Sequence, residues 1–424
     1  MMRYLKVFSF ALAVFLATCS ISMAGLFTFD ISGRPGWSNP DFYIYLVDVS
    51  PTGQITILND SGITQYSRRG EINWRLQGID GDLASDHEGN TFVLVDNCTL
   101  FSYDQYGRER WTDKIANASP GGLGLATDSD DNVYVLCEKY SGDTASDTTH
   151  IITKCSPNGE RLWQQTVKTQ FESVNLDLFV ESDGSSYLLS VAWDYQGNTY
   201  SVLFAFDSSG NNLWKIESNR CDFGALAGNR SSAIYVLESC EEGEKLVMYG
   251  PNGTEQWRRD FADNLSMGYL AITPDGGPIV LGVDTSSGDE RENHIIRYDT
   301  SGQTIFDVSY KYLIGGIGWP TVDRFGNIYT IAGICDEISA SDECISSHTE
   351  LQKFDSSGNR RWNTEFGASG VMSLDSNEDA IYANYGVSEG IFLSPSLWPS
   401  SDDDATDDDI VSAGGGGDNS GCGC

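Results

Sequence analysis

Apolar and polar positions in this chain alternate in short runs that keep stopping at the same kinds of turn. Runs such as Ala233-Ile234-Tyr235-Val236-Leu237 are short, apolar and rich in strand-forming residues. Helical periodicity, and the signals that start and stop helices, are nearly absent beyond residue 24. Two phrases punctuate the runs. The first reads aromatic, Asp or Ser, two turn residues, Gly, a few polar residues and Trp, as in Phe206-Asp207-Ser208-Ser209-Gly210-Asn211-Asn212-Leu213-Trp214. Its glycines are Gly70, Gly107, Gly159, Gly210, Gly253, Gly302 and Gly358. Four residues after them stand Trp74, Trp111, Trp163, Trp214, Trp257, Phe306 and Trp362. The second phrase alternates with the first and is clearest in Asp323-Arg324-Phe325-Gly326-Asn327-Ile328-Tyr329. Close copies start at Asp86 and Asp128, and looser ones at Asp48, Asp183, Asn229, Asp275 and Asp375.

Both phrases predict β-hairpins. Gly and Asn accept the positive φ of tight turns, and Asp hydrogen-bonds its own local backbone. Two hairpins per repeat give four strands, and four strands in a unit of roughly 45 residues describe a propeller blade. Each tryptophan of the first phrase is expected to pack flat against the neighbouring blade, a bulky apolar task at a seam between sheets. Seven copies of the first phrase stand against eight of the second. The last hairpin, around Asp375, is followed only by a degenerate third strand, Gly390-Ile391-Phe392-Leu393. At the other end, Leu26 to Ile31 reads as an orphan strand. Pairing the two ends closes the ring and leaves no exposed edge. The expected fold is therefore an all-β, eight-bladed propeller over residues 25–394, closed by the N-terminal strand, with seven blades as the alternative.

Residues 1–24 read as a signal peptide: Arg3 and Lys6, then an apolar centre from Val7 to Ala17, then Ser22-Met23-Ala24 as the cleavage site. No other segment is long and apolar enough to span a bilayer. Export to the periplasm, the cell surface or the medium follows. The formal net charge of −35 disfavours partnership with nucleic acid or an anionic membrane. Export also permits disulfides. Cys221 and Cys240 lie symmetrically about a predicted turn, and Cys335 and Cys344 bracket a polar loop, so both pairs are candidate disulfides. Cys155 takes the aromatic position of its phrase and is expected in the core, while Cys98 and Cys137 have no assigned partner. From residue 395 the chain turns acidic and then Gly-rich, ending Gly421-Cys422-Gly423-Cys424, the composition of a flexible tail.

Catalytic constellations are missing. His87, His150, His294 and His348 fall in different repeats with no metal-ligand spacing. Asp128-Ser129-Asp130-Asp131-Asn132 has the look of a calcium loop but coincides with the hairpin turn of the other repeats. No catalytic, cofactor-binding or metal-ligating residue is assigned. Calcium is compatible with the charge, and nothing requires it.

The hydrophobic-x-Asp-x-x-Gly-x-x-x-Trp pattern of Tyr103 to Trp111, Phe206 to Trp214 and Phe354 to Trp362 resembles the outer hairpin of pyrroloquinoline-quinone-like propellers, including BamB-type outer-membrane assembly lipoproteins. The Asp-x-x-Gly-Asn-x-Tyr-Val hairpin is similar to the bacterial SBBP-type repeat. The resemblance covers about residues 26 to 394 and implies the scaffold. It does not imply the quinone chemistry, because the adjacent Cys-Cys pair of the quinoprotein dehydrogenases has no counterpart here. The leading functional expectation is a non-enzymatic, monomeric scaffold that binds a protein or glycan at the cell surface through loops on one face. The longest loops, Ser141 to His150, Ser286 to Asn293 and Cys335 to Ser347, all join a second strand to a third and should share that face. An enzyme using the central channel and a purely structural surface component are the alternatives.

Overall fold

The computed structural model describes residues 26–384 except 31–34, 40–43, 51, 60, 68, 96, 117–123, 141–146, 171–172, 194–197, 230–232, 285–290, 313–319, 339–343, 367–371 and 375–379. The expected signal peptide, the tail from residue 395 and the expected strand at 390–393 lie outside the described residues.

The described strands form four-stranded antiparallel sheets, and the chain is a β-propeller. Seven blades are each made of four consecutive strands, which matches the seven-bladed alternative. Blade 1 holds Ile44–Val49, Ile55–Asn59, Gly62–Tyr66 and Ile72–Gln77. Blade 2 begins at Asp82–Ser85, blade 3 at Gly124–Thr127, blade 4 at Ser173–Val180, blade 5 at Cys221–Asn229, blade 6 at Leu265–Ile272 and blade 7 at Thr321–Val322. One further four-stranded sheet joins the two ends of the chain, in the order Met372–Leu374, Ala380–Asn384, Leu26–Asp30, Pro35–Asn39. The expectation of closure by a single N-terminal strand is thus corrected: two N-terminal strands contribute. The first of them pairs with Ala380–Asn384 along its length, from Leu26 opposite Asn384 to Asp30 opposite Ala380.

The sequence reading also overlooked a copy of the first phrase, Phe29-Asp30-Ile31-Ser32-Gly33-Arg34-Pro35-Gly36-Trp37. Backbone register reveals it. Phe29 pairs with Pro35 and Phe27 with Ser38, with a register shift between them. Blade 2 has the same arrangement, Tyr103 opposite Glu109 and Phe101 opposite Thr112, with the shift in the same place.

The core lies between blades. One apolar cluster combines Tyr187, Leu189 and Leu203 of blade 4 with Leu226, Ile234 and Val247 of blade 5, and another combines Tyr134 and Ile152 of blade 3 with Leu188 and Phe204 of blade 4. The seams after blades 1 to 5 are finished by the tryptophan of the first phrase. A bulge between Ala205 and Phe206 re-aims the outer strand and brings Trp214 opposite Ala205. The indole then covers the turn of the next blade: a Cβ on Gly253 would sit 2.8 Å from the Trp214 ring. Its N–H donates to the Pro251 carbonyl at 2.8 Å. Trp111, Trp163 and Trp257 repeat the bond, to the carbonyls of Pro157, Ser208 and Thr300 at 2.9, 3.0 and 3.0 Å. Phe306 covers Gly358 with no donor to give, and the buried Trp74 N–H finds no acceptor.

A second lock sits nearer the axis. Tyr134 points its hydroxyl at the Gly184 carbonyl of blade 4 at 2.8 Å, and Tyr235 points its own at the Gly276 carbonyl of blade 6 at 2.9 Å. Blade 1 has Thr56 where those blades have tyrosine, and Gln65 reaches the Gly89 carbonyl of blade 2 instead, at 3.4 Å. The turns themselves are held by their aspartates. Asp323 accepts the backbone N–H of Phe325 and Asn327 and the Asn327 side-chain amide at 2.7 to 3.0 Å.

These locks predict unequal glycine costs. Gly210 has φ +81°, and a Cβ there would meet Trp163 at 2.6 Å; Gly78 has φ +69° and open space around it. Gly78→Ala should cost about 1–2 kcal/mol from the left-handed backbone alone. Gly210→Ala should cost about 1–3 kcal/mol more from the clash. Urea unfolding of the two variants checks this, and equal losses would contradict the lock.

Candidate functional site

Both kinds of lock engage turns that join first to second or third to fourth strands, and in a meander those turns emerge on one face. The opposite face carries the links from second to third strand and from blade to blade. The three long loops do join second to third strands there, in blades 3, 6 and 7. They are shorter than expected, because the strands run further. Asp147–Cys155, Arg291–Tyr298, Ile328–Ile338 and Cys344–Phe354 take up their ends, leaving 141–146, 285–290 and 339–343 outside the described residues.

The cysteines of the two disulfides, and Cys335 and Cys344, lie toward this loop face, while Cys155 ends its strand beside a turn of the opposite face. Cys221 and Cys240 stand directly opposite each other on the first two strands of blade 5 and form the expected disulfide. Backbone register places Cys335 opposite Ser347 and Cys344 opposite Ile338; the side chains of this pair lie outside the described residues. A disulfide that sequence reasoning missed joins Cys98 of blade 2 to Cys137 of blade 3. Cys98 closes a tight turn between Thr91–Val95 and Thr99–Tyr103, and its φ of +61° is the left-handed region that glycine usually fills. In the tight second-to-third turns of blades 1 and 5 the corresponding residue is glycine, Gly62 and Gly243, and the cysteine in its place was the signal. Cys155 is a buried free thiol, pushed up to about 12 by burial, as suits a core residue.

The innermost strands ring the axis and carry unusual acids. Asp48, Asp82 and Asp177, from blades 1, 2 and 4, are half-buried on these strands, and Asp48 bonds Ser85 of blade 2. Burial pushes Asp48 up to about 6, and Asp82 and Asp177 up to about 7. Asp82 also ties two blades together, accepting the N–H of Leu83 in its own strand and of Leu125 in blade 3. In a chain with 61 acidic residues, nothing in the sequence marks Asp82 and Asp177, and Asp48 reads there only as the start of a turn phrase.

His150 is fully buried at the seam of blade 3, its Nε2 2.9 Å from Thr169 Oγ1 and its Nδ1 3.7 Å from Glu138 Oε1. Burial pushes it down to about 4. His87, His294 and His348 lie against Asp131, Asp307 and Glu350. Asp128 is a turn residue: it accepts from Asn132 at 3.0 Å and meets the Lys154 ammonium at 2.9 Å. Among the described residues, one set of potential metal ligands comes close together, Cys221, Glu238 and Cys240. No helix among them is long and apolar enough to cross a membrane.

No protein-family profile and no curated protein matches this sequence. Solved structures do resemble it in fold. A structure of the Dos1 propeller shares 12% identity at a TM-score of 0.56, covering 90% of this chain and 98% of that one. The C-terminal WD40 domain of Sif2 shares 12% identity at a TM-score of 0.52, covering 81% and 97%. A eukaryotic initiation factor shares 12% identity at 0.53, covering 86% and 87%. Identities this low show the propeller fold and nothing about activity.

Two predictions follow from the buried groups. An aspartic acid raised in the folded state holds its proton longer than in the unfolded chain, whose value is about 4. As pH rises from about 4 to about 7, folding must bury either a reluctant charge or a proton the solvent no longer favours, so stability falls. His150 acts in the opposite sense, losing stability as pH drops toward 4. Asp177→Asn should therefore gain melting temperature relative to the wild type as pH rises from about 4 to about 7, and an unchanged difference across that window would contradict the burial of Asp177. For the missed disulfide, Cys137→Ser should cost about 2–4 kcal/mol. Cys98→Gly should cost about 1 kcal/mol less, since it also relieves the left-handed strain. Denaturant unfolding compares the two, and equal losses would show that the turn is unstrained.

Proposed function

We propose that this protein is an exported, non-enzymatic propeller that acts as a monomeric binding scaffold, holding a protein or glycan of the cell surface against its loop face. The observation that carries the reading is the division of labour between the two faces. Every seam lock described above engages the turn face, so loops on the opposite face can vary without loosening the disc. The two disulfides suit an oxidising compartment, in keeping with residues 1–24 as a signal peptide and 395–424 as a spacer. We read the composite sheet as an eighth blade that closes the ring. Its innermost strand, Met372–Leu374, touches those of blades 1 and 7, and its outer hairpin keeps the common register. The likeness to quinone-enzyme-type and BamB-type propellers supports the scaffold. The raised acids of the inner strands fit inter-blade ties as well as they fit chemistry, so the channel-enzyme reading gains no separate support from them.

The test uses the full chain and variants with residues 141–146, 285–290 or 339–343 replaced by short Gly-Ser links. Each is assayed by thermal melting and by capture of surface proteins and arrayed glycans. The reading predicts wild-type melting and loss of a discrete captured partner in at least one variant. Full capture by all three, with melting unchanged, would remove the loop face as the binding surface.

A further inference from the structure

We propose that Cys221, Cys240 and Glu238 form a redox-gated site for a thiophilic divalent cation of the zinc class, closed while the cysteines are disulfide-bonded and opened by reduction. The inference begins with register. Cys221 faces Cys240 across the first two strands of blade 5, and Glu238 lies two residues before Cys240, hence on the same face of its strand. Their ligand atoms all lie within 4.8 Å of one another. Glu238 and Cys240 are buried, while Cys221, at the start of its strand, is half-buried.

A disulfide alone needs no carboxylate beside it. Glu238 is buried near the end of its strand, and Cys221 and Tyr249, which it meets, pack in the seam between blades 4 and 5. One of its oxygens is already oriented: the Tyr249 hydroxyl donates to Oε1 at 2.6 Å. A hydrogen-bonded carboxylate of this kind is what usually steadies a metal ligand from behind. Two thiolates and one carboxylate suit zinc, and three protein ligands leave a fourth position for water or a substrate atom. Glu255, Lys245 and Arg258 are the charged groups near Glu238.

The chemistry balances as follows. An external dithiol supplies two electrons and two protons; its own sulfurs become a disulfide, and Cys221 and Cys240 become thiols. The entering cation then displaces the two thiol protons and binds both sulfurs and the Glu238 carboxylate.

The test is made on the full chain with Cys422→Ser and Cys424→Ser, which removes the tail thiols. Zinc uptake is measured against a chromogenic chelator in the oxidised and the reduced protein, and cobalt is used to read thiolate coordination by absorption. The reduced protein should take up one more equivalent of zinc than the oxidised protein. Cys221→Ser should abolish the extra equivalent. Glu238→Gln and Tyr249→Phe, which leave the disulfide intact, should each weaken it by about tenfold or more. No extra equivalent on reduction would overturn the proposal. So would equal zinc uptake by the Cys221→Ser protein, or an unchanged affinity in Glu238→Gln.

Discussion

The fold depends on an aromatic side chain laid over the turn glycine of the next blade. Sheets in a propeller touch only through their faces, and the covalent link between neighbours is a short connection. What fixes one sheet against the next is therefore side-chain packing, and at the rim that packing is the indole of one blade on the backbone of another. The contact needs both partners. With a Cβ on Gly159, Gly210, Gly253 or Gly302 the ring could not approach, since the gap would shrink to between 2.6 and 2.8 Å. Without the indole N–H, a turn carbonyl such as that of Ser208 would lose its donor.

The same constraint explains the asymmetry of the disc. Turns that receive a lock must keep their length, their glycine and their carbonyl direction. Links on the other face have no such duty, and their lengths differ between blades. Blade 2 closes its second and third strands with one tight turn, while blade 7 extends both of those strands to eleven residues. The Cys98–Cys137 disulfide adds a covalent tie at that face between blades 2 and 3, where no lock of the turn face can reach. Rigidity on one side and licence on the other make a platform for recognition.

How much of this was legible depended on how local each feature was. The strands, the turns and the seam position of the tryptophans are written in contiguous phrases, and the structure places them as read. The Cys221–Cys240 bridge was legible because both residues belong to one hairpin. Cys98–Cys137 was not, because its partners come from different blades and meet only when the ring geometry is known. The phrase from Phe29 to Trp37 escaped notice because its inner hairpin lies at the far end of the chain, around Ala380. The raised acids of the inner strands escaped for a different reason: what distinguishes Asp48, Asp82 and Asp177 is burial, and composition does not report burial.

The most direct test of the lock is hydrogen exchange at the tryptophan indoles, followed by NMR. The rings of Trp163, Trp214 and Trp257 are partly exposed, so an unbonded indole N–H there would exchange at once. If their bonds to Ser208, Pro251 and Thr300 hold the seams, these protons should exchange only with cooperative opening of the blades, at rates close to those of the core strand amides. Immediate exchange of the indoles, with the strand amides still protected, would show that the seams are held by something else.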